Sequence, residues 1–399
     1  MVDVRRVLVG LDEYEVLDAV EDDGELVVTV RVGRAEAACP RCGVFSARVK
    51  QRRCQRVRDG VSFDRPTTLV WLKRRFRCDT PGCSSFTEST HQVPPRARLT
   101  GRLRAAIAKA AKDRSTAAVA GDHRVSWWTA WRAIADAAER LLAARPVAPP
   151  RRLGADETTF RRPGRFMTGL VDLDTGRLWD LFEGRSKAVL AERLRLLGDD
   201  VVEIESVVID PYAGYKAAVR ELAPHAVRVA DRFHIERLAA QALTDVRCRL
   251  QQALTGHRGR KGDPLYAVRR DLIRGRENLT APGRTRLAAA FAADRSDQLE
   301  CAWTLKEMVR DLYETDDRTA AAAALGDWHR WAQNYDVTEM NRLAKTLRAW
   351  EPELLAFFDT RLTNGRTEGR NLIVKHVKRQ GFGYRNPRHY RLRVLYRCG

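Results

Sequence analysis

Two stretches decide the fold of this chain: Leu153-Gly-Ala-Asp156-Glu157-Thr-Thr-Phe160 and Val207-Val-Ile209-Asp210. Each is a short apolar run that ends on or contains an aspartate, the pattern of a strand delivering a carboxylate to a sheet edge. Between them, Phe166 to Asp172 and Leu178 to Phe182 read as two more strands, with turns at Pro163-Gly164 and Asp174-Thr-Gly176. The first three strands therefore predict an antiparallel meander. A helix from Ser186 to Leu197 precedes Val207–Asp210, and a helix from Tyr212 to Leu222 leads to a last strand, Val227 to Ala230.

This order, βββαβαβα, is that of an RNase H-like α/β sheet. In such a sheet the first and fourth strands are neighbours, so Asp156 and Asp210 can face each other across one edge and share a metal. Hard oxygen ligands suit Mg2+ or Mn2+, and a two-metal site places acids on both sides of a scissile phosphate. Isolated aspartates at strand ends are otherwise caps or turn formers. A third carboxylate is therefore required. It is found in Thr363-Asn-Gly-Arg-Thr-Glu368-Gly-Arg-Asn371, where Asn364 or Thr367 can begin a helix with Glu368 in its first turn. Residues 361–399 hold eleven Lys or Arg and one acid, Glu368 itself. Metal coordination gives that carboxylate a reason; a favourable charge at a helix N-terminus is the alternative. Lys375, Lys378 and Arg379 recur on the outer face of the same helix as candidate DNA contacts. Glu157 follows Asp156 on a strand and so points to the opposite face, away from the metal.

Upstream, Cys39-Pro-Arg-Cys42-Gly and Cys78-Asp-Thr-Pro-Gly-Cys83 make two knuckles separated by 35 residues. Four thiolates at this spacing can close a tetrahedral Zn2+ site. Reduced, buried cysteines are the alternative. Cys54, midway and without a close partner, reads as structural. Val61 to Phe76 alternates like strands, so a small β ribbon clamped by zinc is expected. Residues 48–77 carry eleven Lys or Arg against Asp59 and Asp64, a basic face that could lie along phosphates.

From Leu99 to Leu142 the pattern turns helical. Leu103, Ile107 and Ala110-Ala111 give one apolar stripe, followed by an Ala-rich stretch through Ala120; Gly121-Asp122-His123-Arg124 breaks the period. Ser126 then caps a second amphipathic helix carrying Trp127, Trp128, Trp131, Ile134, Ala138 and Leu141. This matches a DNA-reading helix-turn-helix, with Arg124, Ser126, Thr129 and Arg132 as candidate contacts. A plain helical hairpin packed on a core would show the same stripe. Arg145-Pro-Val-Ala-Pro-Pro-Arg-Arg152 reads as a stiff linker. Downstream, Asp210 and Glu368 lie 158 residues apart, and the intervening chain is helical in pattern. The segments Ala239–Leu254, Leu265–Arg274, Arg284–Phe291, Gln298–Tyr313 and Ala320–Asn334 form an all-α insertion, broken at 256–262 and Ala281-Pro-Gly283, with Trp303, Trp328, Trp331 and Trp350 as core anchors. The expected domains are therefore 1–95 zinc-binding, 96–145 helix-turn-helix, 151–235 the first part of the catalytic core, 236–358 the insertion, and 359–399 the core's C-terminal helix with the third acid.

Composition points the same way. Lys plus Arg number 72 against 52 Asp plus Glu, a net charge of +20 and a pI near 10.1, which suits a polyanionic partner. An Arg-rich composition inherited from a GC-rich genome is the other reading. With 44% hydrophobic residues the chain has enough apolar content for real cores, which excludes wholesale disorder. No run approaches the ~20 apolar residues that span a bilayer, and no signal peptide is recognisable. No membrane partner and a cytoplasmic, nucleoid-associated protein are expected.

Taken together, Gly154-Ala-Asp156-Glu157, Val208-Ile-Asp210-Pro-Tyr-Ala-Gly-Tyr215, Ala230-Asp231-Arg-Phe-His234, Asn364-Gly-Arg-Thr-Glu368-Gly-Arg-Asn371, Gly381-Phe-Gly-Tyr384-Arg-Asn386 and the two knuckles resemble a DDE transposase of the ISL-three insertion-sequence family. These stretches span nearly the whole chain. The resemblance implies a zinc-binding N-terminus, a helix-turn-helix and an RNase H-like domain whose acids are Asp156, Asp210 and Glu368. It also implies double-stranded DNA, both terminal inverted repeats and target, as the partner; a homodimer or higher assembly on DNA is expected. Where the family often has two Asn after the third acid, Asn371 supplies the first and Leu372 replaces the second. Asp231-Arg-Phe-His234 has the D-x-x-H form of several related transposase groups, which brings His234 towards the metals or the scissile phosphate; capping or packing is the alternative. The expected activity is strand cleavage and transfer. An inactive or domesticated transposase acting as a zinc-containing DNA-binding regulator, and a non-mobile nuclease, are the competing readings.

Overall fold

The computed structural model describes residues 10–62, 64–145, 148–161 and 164–398. Residues 1–9 of the expected first domain, Pro146 and Val147 of the expected linker, and Pro163 of the expected Pro163-Gly164 turn lie outside the described residues. The chain forms two compact units: one runs to Arg145 and includes His376–Arg397, the other spans the described residues up to Lys375 with Cys398.

The first unit opens with a hairpin, β1 (Tyr14–Asp22) and β2 (Glu25–Val32), that the sequence reading did not anticipate. A short pair, β3 (Ala37–Ala38) and β4 (Phe45–Ser46), precedes the long hairpin β5 (Val49–Ser62) and β6 (Arg65–Arg77), and β7 (Ser85–Thr87) follows. The expected ribbon at 61–76 is therefore only part of a five-stranded sheet of order β1-β2-β6-β5, with β7 on β6. β2 runs parallel to β6, which joins the two hairpins. Inward positions alternate along β2 and β6, burying Val28, Val30, Leu69 and Trp71 with Tyr14 and Val57. Each such side chain contributes roughly 1.5–3 kcal/mol by leaving water.

Three helices follow: α1 (Gly101–Ala110), α2 (Thr116–Asp122) and α3 (Trp127–Ala143), N-capped by Thr100, Ser115 and Ser126. The expected first helix is thus two helices, because the Ser115 hydroxyl accepts the Ala118 amide and starts a new one. Gly121 and Asp122 stay helical, and the turn lies one step later, with Arg124 at φ 48°. Trp131, Ile134 and Ala138 face the core, whereas Trp127 and Trp128 are exposed rather than part of the buried stripe.

The second unit begins with β8 (Arg152–Arg161), β9 (Arg165–Asp172) and β10 (Leu178–Glu183), then α4 (Lys187–Arg195), β11 (Ser206–Ile209), α5 (Ala213–Leu222) and β12 (Val227–Ala230). The sheet order is β10-β9-β8-β11-β12. β8 pairs antiparallel with β9 and parallel with β11, and β11 pairs parallel with β12. Every residue of β11 is buried, as expected for a central parallel strand covered on both faces.

Seven helices follow: α6 (Arg232–Thr255), α7 (Pro264–Ala267), α8 (Arg269–Ile273), α9 (Ala281–Ala293), α10 (Gln298–Leu312), α11 (Arg318–Tyr335) and α12 (Thr338–Thr360). Leu265–Arg274 is two short helices rather than one. Ala281-Pro-Gly283 is not a break but the first turn of α9, where Thr280 caps and proline's missing N–H costs nothing. The sequence reading did not single out α12, which carries Pro352 inside it. Its Trp350 and Trp328 of α11 are buried anchors; Trp303 is only half-buried and Trp331 is 47% exposed, so the latter is no anchor. Sheet and helices share one hydrophobic cluster that runs from Leu153, Ile209 and Val229 to Leu305, Trp328 and Leu347.

Two helices end the chain, α13 (Gly365–Gln380) and α14 (Pro387–Cys398). The sequence reading placed all of 359–399 with the catalytic core. Instead, Leu392 and Tyr396 of α14 join Leu103, Ile107, Trp131 and Ile134 in the core of the three helices α1–α3. The Arg145 guanidinium donates to the Leu395 carbonyl at 2.9 Å and Arg393 to that of Arg114 at 2.9 Å.

Candidate active site and metal centres

The register of the central strands brings the two aspartates together. Ile209 pairs with Ala155 on one side and Ala230 on the other. One residue further, Asp210 therefore sits beside Asp156 and beside Asp231, at the C-terminal ends of β11 and β12, where open parallel sheets characteristically hold ligands. All three are buried, at 8%, 8% and 2% exposed. Asp156 Oδ1 accepts the Glu157 amide at 2.6 Å and Oδ2 accepts the Asn371 side-chain amide at 2.6 Å. His234, in the first turn of α6, lies between two carboxylates: Nε2 is 2.9 Å from Asp210 Oδ2 and Nδ1 is 2.8 Å from Asp231 Oδ2. Both ring nitrogens can then donate only if the ring is an imidazolium.

Glu368 reaches the same place from α13. Asn364 begins that helix, its carbonyl accepting the Glu368 amide at 2.9 Å. The Asn364 amide donates to Asp231 Oδ1 at 3.1 Å, and its side chain donates to the Ala155 carbonyl at 3.2 Å. Gly154 is what lets α13 approach, because a Cβ there would meet Thr367 Oγ1 at 2.3 Å and Asn364 Oδ1 at 2.5 Å. Two sets of ligand atoms result, each within 4.8 Å: Asp156, Asp210 and His234, and Asp231, His234 and Glu368. The three predicted acids thus meet through His234, with Glu368 joined by Asp231 rather than directly by the two aspartates.

Electrostatics leave this cluster short of positive charge. Burial, then the neighbouring Asp156 carboxylate, raises the Asp210 carboxyl well above the usual range despite its bond to His234. Burial, then Asp231, also raises Glu368. Burial alone would depress His234, but its bonds to Asp210 and Asp231 outweigh that and raise it. Asp210 Oδ1 and Glu368 Oε1 are buried with no hydrogen-bond partner. An oxygen-rich set with two orphaned acceptors fits a divalent cation such as Mg2+ or Mn2+. Glu157 lies apart from both ligand sets, its carboxylate 3.5 Å from Arg185.

In the first unit Cys39, Cys42, Cys78 and Cys83 bring their sulfurs within 4.8 Å of one another, with Cys42 Sγ 3.6 Å from Cys78 Sγ. Tetrahedral zinc with bonds of ~2.3 Å puts its sulfurs about 3.8 Å apart, so the cluster fits Zn2+. Gly43 and Gly82, at φ 76° and 80°, close the knuckle turns. Cys54 is exposed on β5 and so has no buried structural role.

Of the candidate DNA contacts, Arg124, Ser126, Arg132, Lys375 and Arg379 are exposed, and Thr129 and Lys378 are half-buried. The Ser126 hydroxyl is already committed to capping, accepting the Thr129 amide at 3.1 Å. Thr129 and Arg132 line a groove of about 480 Å³ with Arg96, Arg98, Arg104 and Asp136. Sequence reasoning quoted Asp231, Asn364 and Asn371 within motifs but gave them no place at the site, where Asp231 holds His234, Asn364 donates to Asp231 and to the Ala155 carbonyl, and Asn371 donates to Asp156. A signal existed for Asp231, because Val227-Arg-Val-Ala-Asp231 repeats the apolar-strand-then-aspartate form of Val207-Val-Ile-Asp210.

A carboxylate cluster at the C-terminal ends of parallel strands, a four-cysteine cluster and a capped helical bundle suit a protein that acts on DNA, and comparison with known proteins shows which class. Residues 153–394 match a family model described as a transposase of the ISL3 type, residues 88–138 the helix-turn-helix domain of transposase family ISL3, and residues 35–92 the zinc-finger of the transposases of IS204, IS1001, IS1096 and IS1165. The chain belongs to the ISL3 transposase family. It is 28% identical over 420 aligned residues to the transposase for insertion sequence element IS1557 of Mycobacterium tuberculosis, covering 96% of this chain and 92% of that one. It is 26% identical over 361 residues to the transposase for IS1001 of Bordetella parapertussis, covering 89% and 87%. Among solved structures, the Drosophila P element transposase strand transfer complex aligns over 74% of this chain and 91% of that one at 11% identity, with a TM-score of 0.39, too low to argue from. Among the described residues no helix is long and apolar enough to cross a membrane.

Proposed function

We propose that this transposase works by DDE chemistry, cleaving DNA strands at the terminal inverted repeats of its insertion sequence and transferring them to target DNA, with Asp156, Asp210 and Glu368 as metal ligands. The observation that carries this reading is the gathering of these acids around one imidazole, Asp156 and Asp210 buried and Glu368 half-buried, with Asp210 Oδ1 and Glu368 Oε1 left unpartnered. The strand order supports an RNase H-like core over residues 151–235, completed by α13, with 236–358 as an all-α insertion that shares the core's hydrophobic cluster. Residues 1–95 are the zinc-binding domain and 96–145 the helix-turn-helix, which α14 completes.

When bound, Mg2+ or Mn2+ supplies Lewis acidity at the attacking and leaving oxygens of the scissile phosphate. The chain's own groups orient the ligands. Asn371 and the Glu157 amide hold both oxygens of Asp156, and His234 holds one oxygen of Asp210, leaving the other free. Asp231 fixes His234 through Nδ1 and receives the Asn364 amide, so it ties the start of α6 to the start of α13 and sets where Glu368 points. His234 is a positioning group held between Asp210 and Asp231. Arg124, Thr129 and Arg132 contact the end sequence, Lys375, Lys378 and Arg379 its phosphates, and a homodimer or higher assembly holds two ends together.

The test is cleavage of an end-labelled duplex carrying the terminal repeat in Mg2+. Asp210→Asn keeps size and shape while removing charge; it is expected to bind the duplex and not cut it. Cutting at the wild-type rate would overturn the assignment.

A further inference from the structure

The loop of residues 381–386 between α13 and α14 holds one large apolar side chain out in water. Phe382 is 94% exposed, more than any other large hydrophobic residue among those described. Its backbone is left-handed, at φ 51°, a region a non-glycine residue occupies only when its surroundings impose it. Those surroundings are specific. The amides of Gly381, Phe382 and Gly383 donate to the carbonyls of Val377, Arg379 and Lys378 at 3.2, 3.0 and 2.9 Å. On the other side, Asn386 Oδ1 accepts the Arg388 amide at 2.8 Å, and the Tyr384 ring lies 5.1 Å from that of Tyr390. The benzyl group is therefore presented outward by a built turn.

Two further observations say what it meets. Residues 375–397 contain eight Lys or Arg and no Asp or Glu, so the surface around the ring is cationic and a second copy of the same loop would be repelled. The loop also runs straight into the DNA-reading module. In the first turn of α14 the His389 ring lies 4.2 Å from that of Trp131 and 6.4 Å from that of Trp128, near the N-terminus of α3, and Arg388 is 3.3 Å from Glu139.

We propose that Phe382 is a wedge that enters the stack of the terminal-repeat duplex beside the segment contacted by α3, unstacking one base step while Lys378, Arg379 and Arg385 hold the flanking phosphates. An apolar side chain on a cationic rim is the pairing by which proteins part and bend a duplex. The proposal rests on the chain's reading as a transposase that binds its own ends, and adds a contact that deforms them.

The test uses the full chain and a terminal-repeat duplex with 2-aminopurine placed at successive positions. Wild-type protein is expected to raise the fluorescence at one or two adjacent positions. Phe382→Ala is expected to abolish the rise and to weaken binding about tenfold. Phe382→Leu, still an apolar wedge, is expected to keep it. Both variants leave the folded loop contacts untouched and should melt with the wild type. Binding without a rise at any position, or an equal rise with Phe382→Ala, overturns the wedge while leaving end recognition intact. Reduced self-association of Phe382→Ala with unchanged fluorescence overturns it in favour of a second copy as occupant. Failure of the wild-type chain to bind the duplex at all would remove the end-binding reading and the wedge with it.

Discussion

The two candidate metal sites of this chain, the cysteine cluster and the carboxylate cluster, are built on opposite plans. The four cysteines lie within 45 residues, on two tight knuckles whose turn geometry is local. The carboxylate centre draws on Asp156, Asp210, Asp231, His234 and Glu368, which only sheet order and helix docking bring together. The thiolate cluster has four sulfurs at the spacing that closes a tetrahedral site, whereas the carboxylate cluster keeps two orphaned oxygens, as an open site does. A ligand set made by local turns can be read from spacing alone, whereas one made by tertiary packing cannot.

This contrast predicts separable failures. The largest effect is expected from Asp210→Asn or Asp156→Asn, which should lower cleavage by about a hundred- to a thousandfold, the scale for removing one preorganised electrostatic group, with the melting temperature nearly unchanged. A parallel drop in melting temperature would mean that the carboxylate centre is structural after all. Next, Cys42→Ser should remove bound zinc, read by metal analysis, and make the N-terminal domain sensitive to protease while the second unit melts as before. Retention of zinc would break the comparison from the other side. Asn371→Ala should lower metal affinity and cleavage by about 10–100-fold, because Asp156 loses the donor that fixes its orientation; a change in duplex binding instead would relocate Asn371 to the DNA interface. The smallest effect is expected from Gly154→Ala, which forces a methyl against Thr367 and Asn364 and should destabilise the second unit by about 1–3 kcal/mol in denaturant titration. An unchanged midpoint would show that α13 docks elsewhere in solution.

What was legible in the sequence follows the same division. Asp156 and Asp210 were readable because each sits in a short apolar run, and the strand count put those runs side by side. Asp231 was legible only as the first residue of the D-x-x-H stretch, with no role of its own; in the fold its side chain binds His234 and the Asn364 amide. Asn371 lies three residues past Glu368 on one helical face, but only the fold reveals that Asp156 is opposite. The first hairpin was missed because β1 is exposed from Leu17 to Asp22, so that most of its sequence carries no alternation. The Trp127-Trp128 pair misled because aromatic residues suggest a core, whereas only Trp131, one turn on, is buried. Helix α14 was hidden by charge: Pro-Arg-His-Tyr-Arg-Leu-Arg looks like a solvated face, yet Leu392 and Tyr396 fill a core that belongs to a distant part of the chain.

That last packing arrangement has a consequence for how end specificity could be moved between relatives. The α1–α3 bundle is sealed by a helix from the C-terminal end of the chain, so exchanging residues 96–145 alone would set a foreign socket against the resident Leu392 and Tyr396, with voids or overlaps where Trp131 and Ile134 now fit them. A graft that carries residues 387–398 along would keep the plug with its socket. Chimeras, whether made at the bench or by recombination between elements, should therefore survive when both pieces travel as a pair.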